Sequence, residues 1–318
     1  MNSKNSKSGS GESQDRKSVP LLVVAGPTGS GKSRIAAEAA RELNGEIVCA
    51  DSRQLYRGIA VASAQPDSET LRMVPHHLYA VLDTAEPCSA GRFRDLAEPV
   101  LDQIVERGRL PFLVGGTGFY LKAALGRASL APPAGSDTVA TLSARASMEG
   151  SGKLWDELAE RDPVSAKRIH RNDGYRIVRA LAILADTGKA ASSFAKAGDG
   201  RPHVFVALKV PRPVLVERLD ARCARMVAGG ALDEARLLLA RALPPKTPVL
   251  RAIGFPHLFA HLEGRLSLDR ALERMRADTR QYAKQQMTWL RSQPNVRWVD
   301  ASDQRAAAAE LVQIASGC

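Results

Sequence analysis

Cysteine is scarce. Cys49, Cys88, Cys223 and Cys318 stand far apart in 318 residues with no C-x-x-C pair. That spacing argues against a cysteine-rich zinc site and fits a reducing compartment. No apolar run approaches the ~20 residues that a bilayer span requires, so no transmembrane segment is expected. The first 18 residues, MNSKNSKSGSGESQDRKS, lack the apolar stretch of a secretory signal. Polar and low in complexity, they read as a disordered tail. No internal repeat is visible. Acidic residues are the minority, 34 against 45 Lys and Arg, and the shortfall is local. From Glu160 to Asp300 there are 26 basic and 14 acidic residues, while the rest of the chain has 19 and 20. A basic second half suits a polyanionic partner, and equally a solvated basic surface.

What is present begins with LLVVAGPTGSGKSRIAAEAARE, Leu21 to Glu42. The pattern G-x-x-x-x-G-K-[ST] is met by Gly26, Gly31, Lys32 and Ser33, with Pro27, Thr28, Gly29 and Ser30 between. The apolar run before it reads as a buried strand and the Ala-rich run after it as a helix. A glycine-rich turn in that setting aims backbone N–H groups and a helix N-terminus at one point, where a phosphate binds. Lys32 adds a charge, and the Ser33 hydroxyl can reach a metal ion. The loop specifies a phosphate but names no reaction.

Strands are expected at Leu21–Ala25, Glu46–Ala50, Leu110–Val114 and His203–Val210, with helical spacing at Phe93–Arg107. This alternation predicts an α/β fold, a phosphate-loop core built on a parallel sheet. RASLAPPAGSD, Arg127–Asp137, reads as a linker, and the stretch to Phe194 is helical throughout, an insertion between two sheet strands. The expected boundaries are a tail at 1–18, a core at 19–135 and 195–318, and an insertion at 136–194. After Val210 the pattern is helical: Pro213–Ala228, Ala231–Ala242 and Leu268–Arg291.

Asp51 ends the second strand, at the edge where α/β sheets place ligands. Beside a phosphate it can hold Mg²⁺ or take a proton from a nucleophile; it can also cap the next turn. Gly115 and Gly116 follow the third strand and are expected to let the backbone approach a ligand, with the Thr117 hydroxyl at the same edge. Arg218, Arg222 and Arg225 share a helical face, as do Arg276, Arg280 and Lys284. Several such stripes suit pyrophosphate and nucleic-acid backbone contacts.

In order along the chain stand GPTGSGKS (Gly26–Ser33), DSRQLYRG (Asp51–Gly58), PHHL (Pro75–Leu78), LVGGTGFYLKA (Leu113–Ala123), NDGYRIVRAL (Asn172–Leu181), RAIGF (Arg251–Phe255) and TRQYAKQQMTWLR (Thr279–Arg291). This set resembles the tRNA dimethylallyltransferase family over roughly Val19 to Asp300. The resemblance implies a monomeric cytoplasmic enzyme whose loop holds the pyrophosphate of dimethylallyl diphosphate with Mg²⁺ at Ser33. It implies that the adenine N6 3′ of the tRNA anticodon attacks the prenyl carbon. Asp51 matches the general base, Arg222 a leaving-group cation, and Thr28 and Thr117 positions near the diphosphate and the amine. Asp51, Ser52, Arg53 and Gln54, then Tyr175, Arg176, Ile177, Val178 and Arg179, then Arg251, Ala252, Ile253, Gly254, Phe255 and Pro256 match segments that touch tRNA. The insertion matches a domain gripping the anticodon stem-loop. The chain departs from the family within Ala62–Pro66 (ASAQP for GTAKP), the changes falling in Ala62–Gln65, and at Ala182, Phe255 and Gln285. A free-nucleotide prenyltransferase shares the loop and the Asp but needs neither the insertion nor a basic half.

Overall fold

The computed structural model describes residues 20–128, 131–194, 200–245 and 247–317. The expected N-terminal tail and Cys318 lie outside them. The described chain forms two units. One takes in the residues up to Cys88, Arg92–Leu125 and Arg201 onward; the other takes in Ser89–Gly91 and Gly126–Gly200.

The first unit is built on six parallel strands: β1 (Leu21–Ala25), β2 (Gly45–Cys49), β3 (His76–His77), β4 (Leu110–Gly115), β5 (His203–Lys209) and β6 (Val296–Asp300), in the order β3-β2-β4-β1-β5-β6. β1 and β2 are buried at every position, as expected of inner strands covered on both faces. Helix α1 (Lys32–Glu42) lies on the sheet with Ala36, Ala37, Ala39 and Ala40 fully buried. Their small side chains let its backbone come close to Ile47, Phe112 and Val114 in the same core cluster. Phe112, fully buried there, is worth about 3–5 kcal/mol against alanine. Helices α2 (Ser68–Met73), α3 (Ala90–Glu106) and α4 (Gly118–Ala124) complete the N-terminal part.

The helical second unit contains α5 (Ser136–Glu149), α6 (Ser151–Arg161), α7 (Pro163–Ala166) and α8 (Gly174–Thr187). Leu154, Leu158, Ile177, Leu181 and Ala182 form its core. Its extent differs from the expected 136–194. The linker belongs with the helices because the Gly135 amide and the Thr138 hydroxyl both donate to Asp186 of α8. The chain rejoins the sheet where the Arg201 N–H bonds the Leu125 carbonyl at 3.0 Å. That pins the two ends of the excursion together.

The remainder of the first unit is α9 (Arg212–Met226), α10 (Leu232–Ala240), α11 (Phe255–Leu262), α12 (Leu268–Arg291) and, after β6, α13 (Gln304–Ser316). An all-helical reading after Val210 misses β6. Its sequence VRWVD carries an arginine, and only Val299 of its five residues is buried, as suits an edge strand.

Candidate active site

β1, β2 and β4 bring their carboxyl ends to one edge of the first unit. Gly29 and Gly31, at φ +80° and +85°, take left-handed values that glycine adopts freely. The helix they lead into, α1, has no side-chain cap, and its first internal bond joins the Ile35 amide to the Gly31 carbonyl. The amides at its start are therefore open to an anion. Two amides of the loop are already committed: the Ser30 N–H bonds the Pro27 carbonyl, and the Thr28 N–H bonds Gln286 Oε1 at 2.8 Å.

Lys32 is only 9 % exposed. Burial pushes its ammonium from 10.5 down to about 8; Asp51 pulls it up and Arg222 adds to the fall. Burial likewise holds the Arg222 guanidinium below its usual value, against Asp51. Among the described residues neither cation has an ion-pair partner. Two cations with one shared carboxylate nearby leave the edge short of negative charge, which a diphosphate would supply.

Asp51 Oδ1 accepts the Arg53 N–H at 2.9 Å, so the capping reading holds for one oxygen. The other has no hydrogen-bond partner among the described residues. Thr117 Oγ1 accepts the Ser52 N–H at 2.9 Å, which ties the β4 turn to the segment carrying Asp51. Asp51 and Ser52 border a cavity of about 460 Å³ whose lining also includes Thr28, Arg222, Met226, Ile253 and Gln285. The Ser33 hydroxyl makes no bond to protein among the described residues. No group of three or more His, Cys, Asp or Glu that could hold a metal occurs among them. One hydroxyl plus diphosphate oxygens and water is a donor set that suits Mg²⁺.

Several expectations are corrected. Gly115 and Gly116 serve the protein's own packing. A Cβ on Gly115 would lie 2.1 Å from the Ala50 carbonyl oxygen, and one on Gly116 2.2 Å from Gln286 Nε2. Arg218 donates to the carbonyls of Ala301 and Ser302 and Arg280 pairs with Asp220, so of the two arginine stripes Arg222 is the member lining the cavity. Gln54, Ile177, Val178 and Phe255 are buried, which leaves their side chains little surface to offer RNA, while Ala252, buried as well, lines the cavity. Gln54 bonds the carbonyls of Ser63 and Ala64, and Phe255 stacks on Phe259. Gly254, at φ +100°, packs against Met275. Arg53 reaches the Pro248 carbonyl, and Arg176 pairs with its own helix cap, Asp173. Tyr175 is 76 % exposed, and Arg251 and Pro256 are exposed as well.

The departures from the family pattern also find their places. Gln65 donates to the carbonyls of Gln54 and Tyr56, holding the 59–65 loop. The Glu234 carboxylate grips the same loop through the amides of Val61 and Ala62, each at 2.8 Å. Ala182 is core, and Gln285 lines the cavity.

Two residues on α12 escaped the sequence reading. Tyr282 lies beside Thr117, Gln286 and Asp51; burial, with the Asp51 charge adding to it, pushes its phenol up to about 12. Gln286, 6 % exposed, bonds the phosphate loop and also donates to the Gly116 carbonyl at 3.0 Å. Both stand in TRQYAKQQMTWLR. Their i, i+4 spacing puts them on one helix face, the one signal that could have found them.

The family model described as IPP transferase matches residues 54–293. The chain belongs to the IPP transferase family. A tRNA dimethylallyltransferase of Geobacter metallireducens is 41 % identical over 292 residues, 90 % of this chain and 94 % of that one. One from Rhodospirillum rubrum is 43 % identical over 282 residues, 87 % and 86 % of the two chains. The solved tRNA isopentenylpyrophosphate transferase of Bacillus halodurans superposes with a TM-score of 0.70 at 35 % identity, covering 94 % of this chain and 96 % of that one. A eukaryotic dimethylallyltransferase acting on tRNA gives 0.76 at 28 % identity, covering 91 % and 75 %. The phosphate loop and Asp51 precede the span of the family model but lie on the edge where this IPP transferase gathers Lys32 and Arg222. Among its described residues no helix is long and apolar enough to cross a membrane.

Proposed function

We propose that the chain transfers a dimethylallyl group from dimethylallyl diphosphate to N6 of the adenine 3′-adjacent to the anticodon in tRNA, in the cytoplasm, releasing diphosphate. The observation that carries this reading is the cavity itself. The half-buried Arg222 and Asp51 line it, and the buried Lys32 is close enough to both to feel their charges; among the described residues neither cation has an ion-pair partner and one oxygen of Asp51 is unbonded.

In this reading the N6–C1 bond forms as the C1–O bond breaks. The N6 proton passes to Asp51; the lone pair of adenine's exocyclic amine is delocalised into the ring, so the amine is a poor nucleophile unless a placed base takes its proton. The electron pair of the broken bond leaves with diphosphate. Lys32, the amides at the start of α1 and Arg222 hold that charge, which grows in the transition state and is held best by groups already in place. Mg²⁺, held by Ser33, would add positive charge against the same oxygens. Thr117 orients the segment carrying Asp51, and Thr28 flanks the diphosphate. The adenine must leave its stack to enter a cavity. The helical unit, with exposed Tyr175 at the start of α8, holds the anticodon stem.

The test is incubation of the purified protein with tRNA and dimethylallyl diphosphate, followed by mass analysis of the tRNA nucleosides. One adenosine should gain a single five-carbon prenyl unit. Transfer to free AMP as fast as to an anticodon stem-loop at equal concentration would overturn the tRNA assignment.

A further inference from the structure

One side chain ties together two turns of the sheet edge beside this cavity. The phosphate loop belongs to β1 and α1, the Gly116–Thr117 turn to β4 and α4, and Gln286 to α12, far along the chain. Gln286 Oε1 accepts the Thr28 N–H at 2.8 Å, and its Nε2 donates to the Gly116 carbonyl at 3.0 Å. Both ends of one carboxamide are used, at a site 6 % exposed. Only a glycine at position 116 leaves room for that amide, since a Cβ there would lie 2.2 Å from Nε2. Tyr282, one helical turn back, lies beside both Gln286 and Thr117. Thr117 in turn holds the Ser52 amide beside Asp51. Gln286 therefore links the phosphate loop to the Gly116–Thr117 turn, and through that turn's backbone to the residues around the base.

We propose that Gln286 is the positioning residue that couples donor binding to acceptor binding. This rests on the transferase reading above. The Thr28 amide, being committed to Gln286, does not bind diphosphate; it reports the loop's position. When diphosphate settles the loop, Thr28 fixes the carboxamide. The carboxamide then fixes Gly116, and Thr117 and Asp51 come to rest where the amine must arrive. An acceptor that orders the Gly116–Thr117 turn does the same in reverse, because coupling between two sites is reciprocal. Gln286 touches neither reacting atom. Removing it should separate the two binding events while leaving each site's own contacts in place.

The test measures four dissociation constants with Mg²⁺ at pH 7.5. They are inorganic diphosphate alone, an anticodon stem-loop alone, and each in the presence of saturating amounts of the other. In the unaltered protein each ligand should tighten the other by the same factor, within the usual range of about 5- to 150-fold. In Gln286→Met, of similar length but with no amide, the factor should fall to within about twofold of one, a residue with no differential contact shifting nothing. Prenyl transfer to the stem-loop should slow at saturating donor and acceptor. Gln286→Glu keeps the acceptor for Thr28 and opposes a carboxylate to the Gly116 carbonyl. It should retain affinity for diphosphate alone and lose the coupling, and it carries the test should Gln286→Met fail to fold. A merely structural role would weaken both ligands and leave the factor unchanged. That result, or a factor near one in an unaltered protein that prenylates the stem-loop, overturns the proposal. An unaltered protein that never prenylates the stem-loop overturns the transferase reading instead.

Discussion

Raising the pH from 7.5 to 9.5 should weaken the binding of dimethylallyl diphosphate, without RNA, about 25-fold. The group responsible is Lys32, whose ammonium burial brings from 10.5 to about 8. A lysine is charged below its own value and neutral above it, so the lowered value makes the anion site lose charge as the pH rises through 8. About three-quarters of the free protein carries that charge at pH 7.5 and about 3 % at pH 9.5, and the ratio sets the loss of affinity. The diphosphate ester is already ionised across this window. Tyr282, pushed up to about 12, stays protonated through it. Titration calorimetry at half-unit steps reads the profile directly. Lys32→Arg should flatten it, since a guanidinium keeps its charge throughout. A flat profile in the unaltered protein, or an unchanged slope in Lys32→Arg, would refute the reasoning. The same burial costs stability while no anion is bound. Lys32→Met should therefore abolish diphosphate binding and stabilise the free protein at neutral pH by up to about 3 kcal/mol, read by urea unfolding.

Asp51→Asn should lower turnover ~10²–10⁴-fold with diphosphate affinity near normal, because an amide cannot take the N6 proton; loss of diphosphate binding instead would move Asp51 to the metal. Glu46, 3 % exposed, accepts from Arg107 at 2.7 Å and lies 2.6 Å from His77. Burial raises its carboxyl, but the hydrogen bonds of Arg107 and His77 outweigh that and hold it below 4.5. Glu46→Gln should cost about 2 kcal/mol in urea unfolding, full above the ordinary carboxylate value and vanishing as the pH falls through the depressed one; a gap that persists in acid would deny the ionic origin. Stem-loop affinity should fall steeply with salt, with a log–log slope of about −0.7 to −0.9 per phosphate neutralised; a flat response would rule out the basic half as an RNA surface.

The inner strands were legible because sequence and packing agree there. LLVVA and the run at Leu110–Val114 are apolar and β-prone, and both lie covered on two faces. β3 and β6 were not. Two residues, His76–His77, form no pattern, and β6 carries an arginine among its five residues. Such segments become strands because an inner strand offers a ladder to them, a cause lying at other positions in the chain. The linker before α5 shows the same limit. Its Pro, Gly and Ser content reads as a free connection, yet one carboxylate, Asp186, holds Gly135 and Thr138 to the helices.

At the site, what could be read locally was read. Loop, lysine and carboxylate each announce themselves by spacing. The arginine stripe could not be divided by spacing alone, since Arg218 and Arg222 sit one turn apart on α9. One bonds the carbonyls of Ala301 and Ser302 just before α13, and the other lines the cavity with Asp51. The glycines misled for a related reason. A glycine after a strand says that something comes close, not what comes close, and here it is the Ala50 carbonyl and the Gln286 amide. Gln286 itself has no local signature. Its role arises only because α12 returns to the sheet edge 258 residues after Thr28 and 170 after Gly116. The groups that would do chemistry lie in short motifs, whereas the group that sets their spacing comes from a distant helix. Motif reading therefore finds the reacting residues first and the residue that aligns them last.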